Sequence, residues 1–198
     1  MTIVRLNGTH GSGKSTVATK IMKYLNTIPI GSEGKKRPDG YIVTLPQGSS
    51  RKLFIVGPYE TACGGCDAIQ PFAAIWPTVE WAAKRGFHVL FEGALVSTTF
   101  GAIGEASREY GKNFVWAFMD TPLETCRERV NGRRAQRGAA PLTDFKNVDS
   151  KWHTIRRLHD KLSDGTFGYK PMVASIDHTR PVMGVMNLFG VKLNKEPK

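Results

Sequence analysis

Apolar runs alternate with amphipathic stretches along the chain. This is the pattern of an α/β fold with a mainly parallel sheet, because strands covered on both faces read as continuous apolar runs. Residues 3–7 (Ile-Val-Arg-Leu-Asn) predict a buried first strand, and residues 15–24 the helix that follows. Residues 31–40, which end in Pro38-Asp39-Gly40, predict an exposed loop. Two β-prone runs at 41–45 and 52–56, around Pro46-Gln47-Gly48-Ser49-Ser50, predict a hairpin whose second arm feeds the main sheet. A helix is expected over 71–85 with Gly86 as its stop, then a short central strand at 89–91 ending at Glu92-Gly93. Residues 114–119 predict another strand, and Thr121-Pro122 opens a helix to about Val130. A helix at 152–162, a last strand at 172–176, a helix at 181–188 and a loose tail at 192–198 complete a single domain over 1–198.

The first strand and first helix frame Gly8-Thr9-His10-Gly11-Ser12-Gly13-Lys14-Ser15-Thr16. Glycines at this spacing let successive backbone N–H groups turn toward one phosphate. Lys14 offers a point charge to the β- and γ-phosphates, and the Ser15 hydroxyl a ligand for Mg²⁺. A helix starting at Ser15 adds the positive end of its dipole. The strand–loop–helix context implies ATP with Mg²⁺ as the donor, bound by residues 8–16. No Asn-Lys-x-Asp follows a late strand, which argues against a guanine-reading GTPase, and the chain is short for a motor.

Charge changes the picture next. Twenty-eight Lys and Arg against 17 Asp and Glu leave a formal net charge of +11. A phosphate donor site needs only a local cluster of cations, so the global excess points to a polyanionic partner, nucleic acid above all. No apolar run approaches the roughly 18 residues that span a bilayer. The N-terminus lacks a basic leader before an apolar stretch, and the three cysteines suit a reducing compartment. A soluble cytoplasmic protein is expected.

Phosphoryl transfer asks a protein for alignment and charge neutralisation. Glu92, closing its strand, is a candidate Mg²⁺-side carboxylate together with Ser15, or a proton acceptor. Arg127, Arg129, Arg133, Arg134 and Arg137 follow the strand that ends at Asp120, and Arg129 and Arg133 share a helix face. Gly132 and Gly138 allow this region to bend, so a lid is expected over about 131–150, with Arg129 and Arg133 as catalytic candidates. Arg134 and Arg137 are candidates for substrate binding. The basic residues Lys151, Arg156, Arg157 and Lys161 are either a solvated helix face or a nucleic-acid contact.

Residues 57–67 read Gly-Pro-Tyr-Glu-Thr-Ala-Cys-Gly-Gly-Cys-Asp and fall where an acceptor would sit. Gly64-Gly65 would let backbone approach a substrate, and Tyr59 could stack on a base. Phe72 and Trp76 are further stacking candidates, but a core role is the alternative favoured for both. Asp67 is either a general base for an acceptor hydroxyl or the N-cap of the next helix. Cys63 and Cys66 have no second Cys pair or paired His as zinc partners, so they read as a turn that shapes the substrate site.

Residues 120–130 (Asp-Thr-Pro-Leu-Glu-Thr-Cys-Arg-Glu-Arg-Val) and Ser175-Ile176-Asp177 resemble the lid entry and last strand of nucleoside-monophosphate kinases. That resemblance implies a P-loop nucleoside-kinase-like fold: a five-stranded, mainly parallel sheet flanked by helices, with an inserted hairpin and an Arg-rich lid. Cys63-Gly-Gly-Cys-Asp67, with Phe91-Glu92-Gly93 and the arginine cluster, is similar to phage P-loop kinases acting on 5-hydroxymethyluracil within DNA, relatives of thymidylate kinases. It implies transfer of the ATP γ-phosphate to the 5-hydroxymethyl oxygen, giving 5-phosphomethyluracil, a step in thymidine hypermodification that evades host restriction. A kinase of free nucleotides or other small alcohols, and an ATP-dependent nucleic-acid-binding switch, remain as alternatives.

Overall fold

The computed structural model describes every residue except 47, 48, 61–63, 99 and 198. Its centre is β1 (Ile3–Asn7), buried at all five positions and paired in parallel with β5 (His88–Glu92) on one side and β6 (Phe114–Asp120) on the other. Beyond β6 lies β7 (Met172–Asp177), and beyond β5 lies β4 (Leu53–Val56), both parallel to their neighbours. The five parallel strands are extended by an antiparallel edge, β3 (Gly40–Val43) on β4 and β2 (Thr27–Ile30) on β3. The sheet therefore has seven strands, in the order β2-β3-β4-β5-β1-β6-β7, and the expected count of five is corrected. The expected hairpin is the β3–β4 pair. It carries the main sheet outward, with Gly40 to Val43 as one arm and β4 as the arm that joins β5.

Strand alternation divides the core into two layers. Ile3, Phe91, Phe114, Trp116 and Phe118 point to a layer covered by α2 (Ile75–Lys84), α3 (Gly101–Tyr110) and α5 (Lys146–Ser163). Val4, Leu6, Leu90, Val115 and Ala117 point to the opposite layer, covered by α1 (Lys14–Tyr24) and α6 (Pro181–Leu188). A third, smaller cluster joins Cys126 and Val130 of α4 (Leu123–Ala135) to Val148 of α5, so these two helices form a hairpin with its own apolar seam. Because β1, β5 and β6 are parallel, their carboxyl ends open on one side, where ligand crevices of α/β sheets form.

Several elements run differently from expectation. α4 continues past Val130 to Ala135, and α5 begins at Lys146 rather than near residue 152. The C-terminal tail is tied down: Glu196 accepts the Val182 and Met183 amides at 2.9 Å each, and Lys20 Nζ donates to the Pro197 carbonyl at 3.1 Å. Among the described residues no helix is long and apolar enough to cross a membrane.

Candidate active site

The loop between β1 and α1 wraps around the end of the first strand. Gly13 (φ 100°) and Gly11 (φ 80°) adopt left-handed backbone that side chains avoid, and a Cβ at Gly11 would collide with the Cys126 carbonyl. Lys14 is buried at the start of α1, its Nζ donating to the carbonyls of Gly8 (2.7 Å) and Thr9 (3.1 Å). Burial pushes its ammonium below the usual lysine range, while Glu92 and Asp67 pull the other way. The loop is braced from three directions. Gly8 N donates to Ser97 Oγ at 3.2 Å, Thr9 Oγ1 to the Val148 carbonyl at 2.9 Å, and Thr121 Oγ1 to the Ser12 carbonyl at 2.9 Å.

Glu92 sits at the carboxyl end of β5, 1 % exposed, and its Oε1 accepts hydrogen bonds from Ser15 Oγ (2.9 Å) and Tyr59 OH (3.2 Å). Burial raises its carboxyl above the ordinary range, an effect opposed by Lys14 and the Ser15 hydrogen bond. The hydroxyl of Ser15 and the carboxylate of Glu92 are hard oxygen donors in contact, a chemistry that suits Mg²⁺. Gly65 (φ 71°) packs so closely under Glu92 that any Cβ there would strike the carboxylate.

Asp67 lies on the 3₁₀ turn Gly65–Ala68, not at the N-terminus of the next helix as a cap. Its carboxylate accepts the amides of Ala94 (2.7 Å, Oδ2) and Leu95 (3.1 Å, Oδ1), stapling the turn after β5. Ser97 holds the same turn from the other end through a 2.6 Å bond to the Gly93 carbonyl. Neither Asp67's hold on a distant turn nor the bridge from Ser97 to the glycine-rich loop has a local sequence signal, since each joins segments far apart in the chain.

These groups surround one cleft of about 810 Å³. Residues 9–16, Gly64, Asp67, Glu92, Arg129 and Arg133 all line it, so the cleft brings together most of the predicted donor and catalytic residues. Lys151 also reaches in from α5, its Nζ 2.9 Å from His10 Nε2; burial first, then Lys151 and Lys14, lower the His10 pKa. Arg134 and Arg137 are not on its wall. They line a separate cavity of about 260 Å³ between α4 and α5. Cys66 is fully buried and its thiol is pushed well above the usual range by burial, so it supports the site from behind; Cys63 lies outside the described residues. Phe72 is exposed, contrary to the core alternative, whereas Trp76 packs against Phe114 and Tyr110.

A family model described as 5-hmdU DNA kinase matches residues 2–174. The chain belongs to the 5-hmdU DNA kinase family. Relatives of that name include one from Pseudomonas phage PaMx11, 34% identical over 152 residues (76% of this chain, 79% of the relative). Another, from Pseudomonas phage M6, is 33% identical over 178 residues, covering 83% of this chain and 88% of its own. A third, from Delftia phage PhiW-14, is 29% identical across 98% of this chain and 81% of its own. The glycine-rich loop, Glu92, the Asp67 turn and the α4 arginines of this 5-hmdU DNA kinase family member all fall inside the matched stretch. The tail that Glu196 fastens to α6 lies beyond it.

Proposed function

We propose that the protein is a P-loop kinase that transfers the γ-phosphoryl group of ATP to the 5-hydroxymethyl oxygen of 5-hydroxymethyluracil in DNA. The products are 5-phosphomethyluracil in the polymer and ADP. The observation that carries this reading is the shared cleft: a buried lysine in a glycine-rich loop, the Ser15–Glu92 pair and the Asp67 turn face one space, in a chain whose family is named for such an activity.

In the reaction the acceptor oxygen forms a bond to the γ-phosphorus as the bond to the bridging oxygen of ADP breaks, and the hydroxyl proton leaves to a base. Lys14 is suited to neutralise the β- and γ-phosphates, exchanging its two carbonyl partners for them. Ser15 and Glu92 would hold Mg²⁺, which when bound screens the triphosphate charge. Asp67 lines the same cleft and is assigned as base; Arg129 and Arg133 stabilise charge on the phosphoryl group from α4, Arg133 within a lid formed by residues 131–150. A base inside a duplex is out of reach of such a cleft, so the acceptor is single-stranded or extruded from its stack. The phosphate added is a leaving group for later base modification, which fits a role in restriction evasion by phage DNA.

Nucleoside analysis of hydroxymethylated DNA after incubation with ATP, Mg²⁺ and the protein tests this directly. The expected product is 5-phosphomethyl-deoxyuridine. Transfer to free 5-hydroxymethyl-deoxyuridine monophosphate with none to the DNA would instead make it a nucleotide kinase.

A further inference from the structure

The second cavity, between α4 and α5, carries chemistry that phosphoryl transfer does not use. Arg133, Arg134 and Arg137 contribute to its wall, and its floor is apolar, with Leu142 and Phe145 among the lining residues. Among the described residues none of these three arginines has a carboxylate within ion-pairing distance. Arg127, about two turns earlier, shows the contrast: it is neutralised by Glu124 (2.5 Å) and Asp149 (2.6 Å). Asp144 also lines the cavity, but its carboxylate is engaged by Lys146, whose amide it accepts at 2.8 Å and whose ammonium lies at 3.5 Å.

The cavity is also built in advance. Asn131 holds Leu142 by both backbone groups, accepting its N–H at 2.8 Å and donating to its carbonyl at 3.3 Å. Arg134 Nε donates to the Ala140 carbonyl at 2.6 Å, which orients the guanidinium and leaves its terminal nitrogens for another partner. Three like charges gathered in one preformed recess repel each other unless an anion joins them. Guanidinium forks match phosphate oxygens, and an apolar floor beside them suits a sugar or a base face. His10 and Arg133 line both cavities, so an anion bound here sits one residue's width from the phosphate loop.

We propose that this cavity binds a phosphodiester of the acceptor strand, with Arg134 and Arg137 as its anion-binding pair and Phe145 and Leu142 as the rest for the neighbouring sugar. The proposal rests on the kinase reading above for the word "acceptor". A strand seated here would run from the target nucleotide along the α4–α5 hairpin, and Arg133 would feel both the strand and the transferring phosphate. The same guanidinium chemistry could serve a free phosphate or the nucleotide donor, and the test separates these sources.

Binding of a fluorescent single-stranded oligonucleotide containing 5-hydroxymethyluracil is measured across a salt series, for the wild type and for Arg134→Gln/Arg137→Gln. The double variant is expected to bind about ten-fold more weakly and to lose about 0.7 from the salt slope, the value for one phosphate contact on a single strand. Arg134→Lys/Arg137→Lys, which keeps the charge, should restore most of the slope. A neutral methylphosphonate walked along the oligonucleotide should weaken wild-type binding at one linkage and leave the Gln variant indifferent there. An unchanged slope and affinity in the Gln variant overturns the proposal. So does weaker ATP binding in DNA-free titrations with oligonucleotide affinity intact, which would return the pair to the donor. If the wild type fails to phosphorylate the oligonucleotide while the slope still falls, the phosphodiester site stands and the kinase reading fails.

Discussion

Lys14 is buried and its ammonium is held by two backbone carbonyls, whereas Arg133 and Arg137, on the α4–α5 hairpin, are exposed and unpaired with any carboxylate among the described residues. The glycine-rich loop is made of backbone and braced by Ser97, Val148 and Thr121. The hairpin is made of long side chains over a small apolar seam. A backbone cradle tolerates little change, because a Cβ or a lost brace moves several N–H groups together. A surface cluster tolerates single changes and acts through summed charge. Mutations should therefore act steeply in the first region and gradually in the second.

Lys14→Ala should show the largest effect, lowering transfer about 10²–10³-fold, the loss seen when one preorganised electrostatic group is removed. Labelled ATP measures this, and undiminished turnover would remove Lys14 from the donor site. Asp67→Asn should lower the single-turnover rate about 10²-fold if the carboxylate takes the proton, with DNA affinity little altered. An unchanged rate would leave Asp67 as the staple of the Ala94–Leu95 turn and shift the base to Glu92.

Gly65→Ala should destabilise the fold by about 1–3 kcal/mol, since φ 71° is strained for alanine and the new methyl meets Glu92. Denaturant melts would read it, and an equal loss in Gly138→Ala (φ 67°, open space) would show that backbone strain alone is responsible. The buried sheet should also respond to pH. His88 accepts the Thr2 amide at Nδ1 (3.2 Å), and burial, followed by the N-terminal ammonium and Arg51, lowers its pKa from 6.5 to about 4. The unfolded chain then binds more protons between these values, so this contribution is present above pH 6.5 and is lost as pH falls toward 4. His88→Gln should flatten the fall in melting temperature over that window. The smallest effect is expected from neutralising Arg156, Arg157 and Lys161 together on the exposed face of α5: stability within about 0.5 kcal/mol, and a reduced salt slope only if that face touches DNA.

The glycine-rich part of the candidate site was legible from local sequence. The glycine spacing, Lys14 and Ser15 work within one loop, and the strand and helix on either side have clear apolar patterns. Glu92 was legible for a similar reason, as the acid closing a buried strand. The edge strand β2 was not, because Thr-Ile-Pro-Ile is short, contains proline and is half-exposed. Nor was α3, whose glycines at 101 and 104 weaken the helical pattern that its burial of Ile103 and Ala106 restores.

Sequence by itself determined the α/β alternation, the glycine-rich loop and the excess of positive charge, since each depends on neighbouring residues or on a plain sum. Tertiary structure decided which carboxylate braces which turn, that the tail is fastened to α6, and that the arginines of one helix divide between two cavities. Those outcomes depend on where parallel strands end and how helices cross them. Contacts between residues about 30 to 140 positions apart, such as Asp67 with Ala94 or Thr9 with Val148, leave no periodic trace in the chain that makes them.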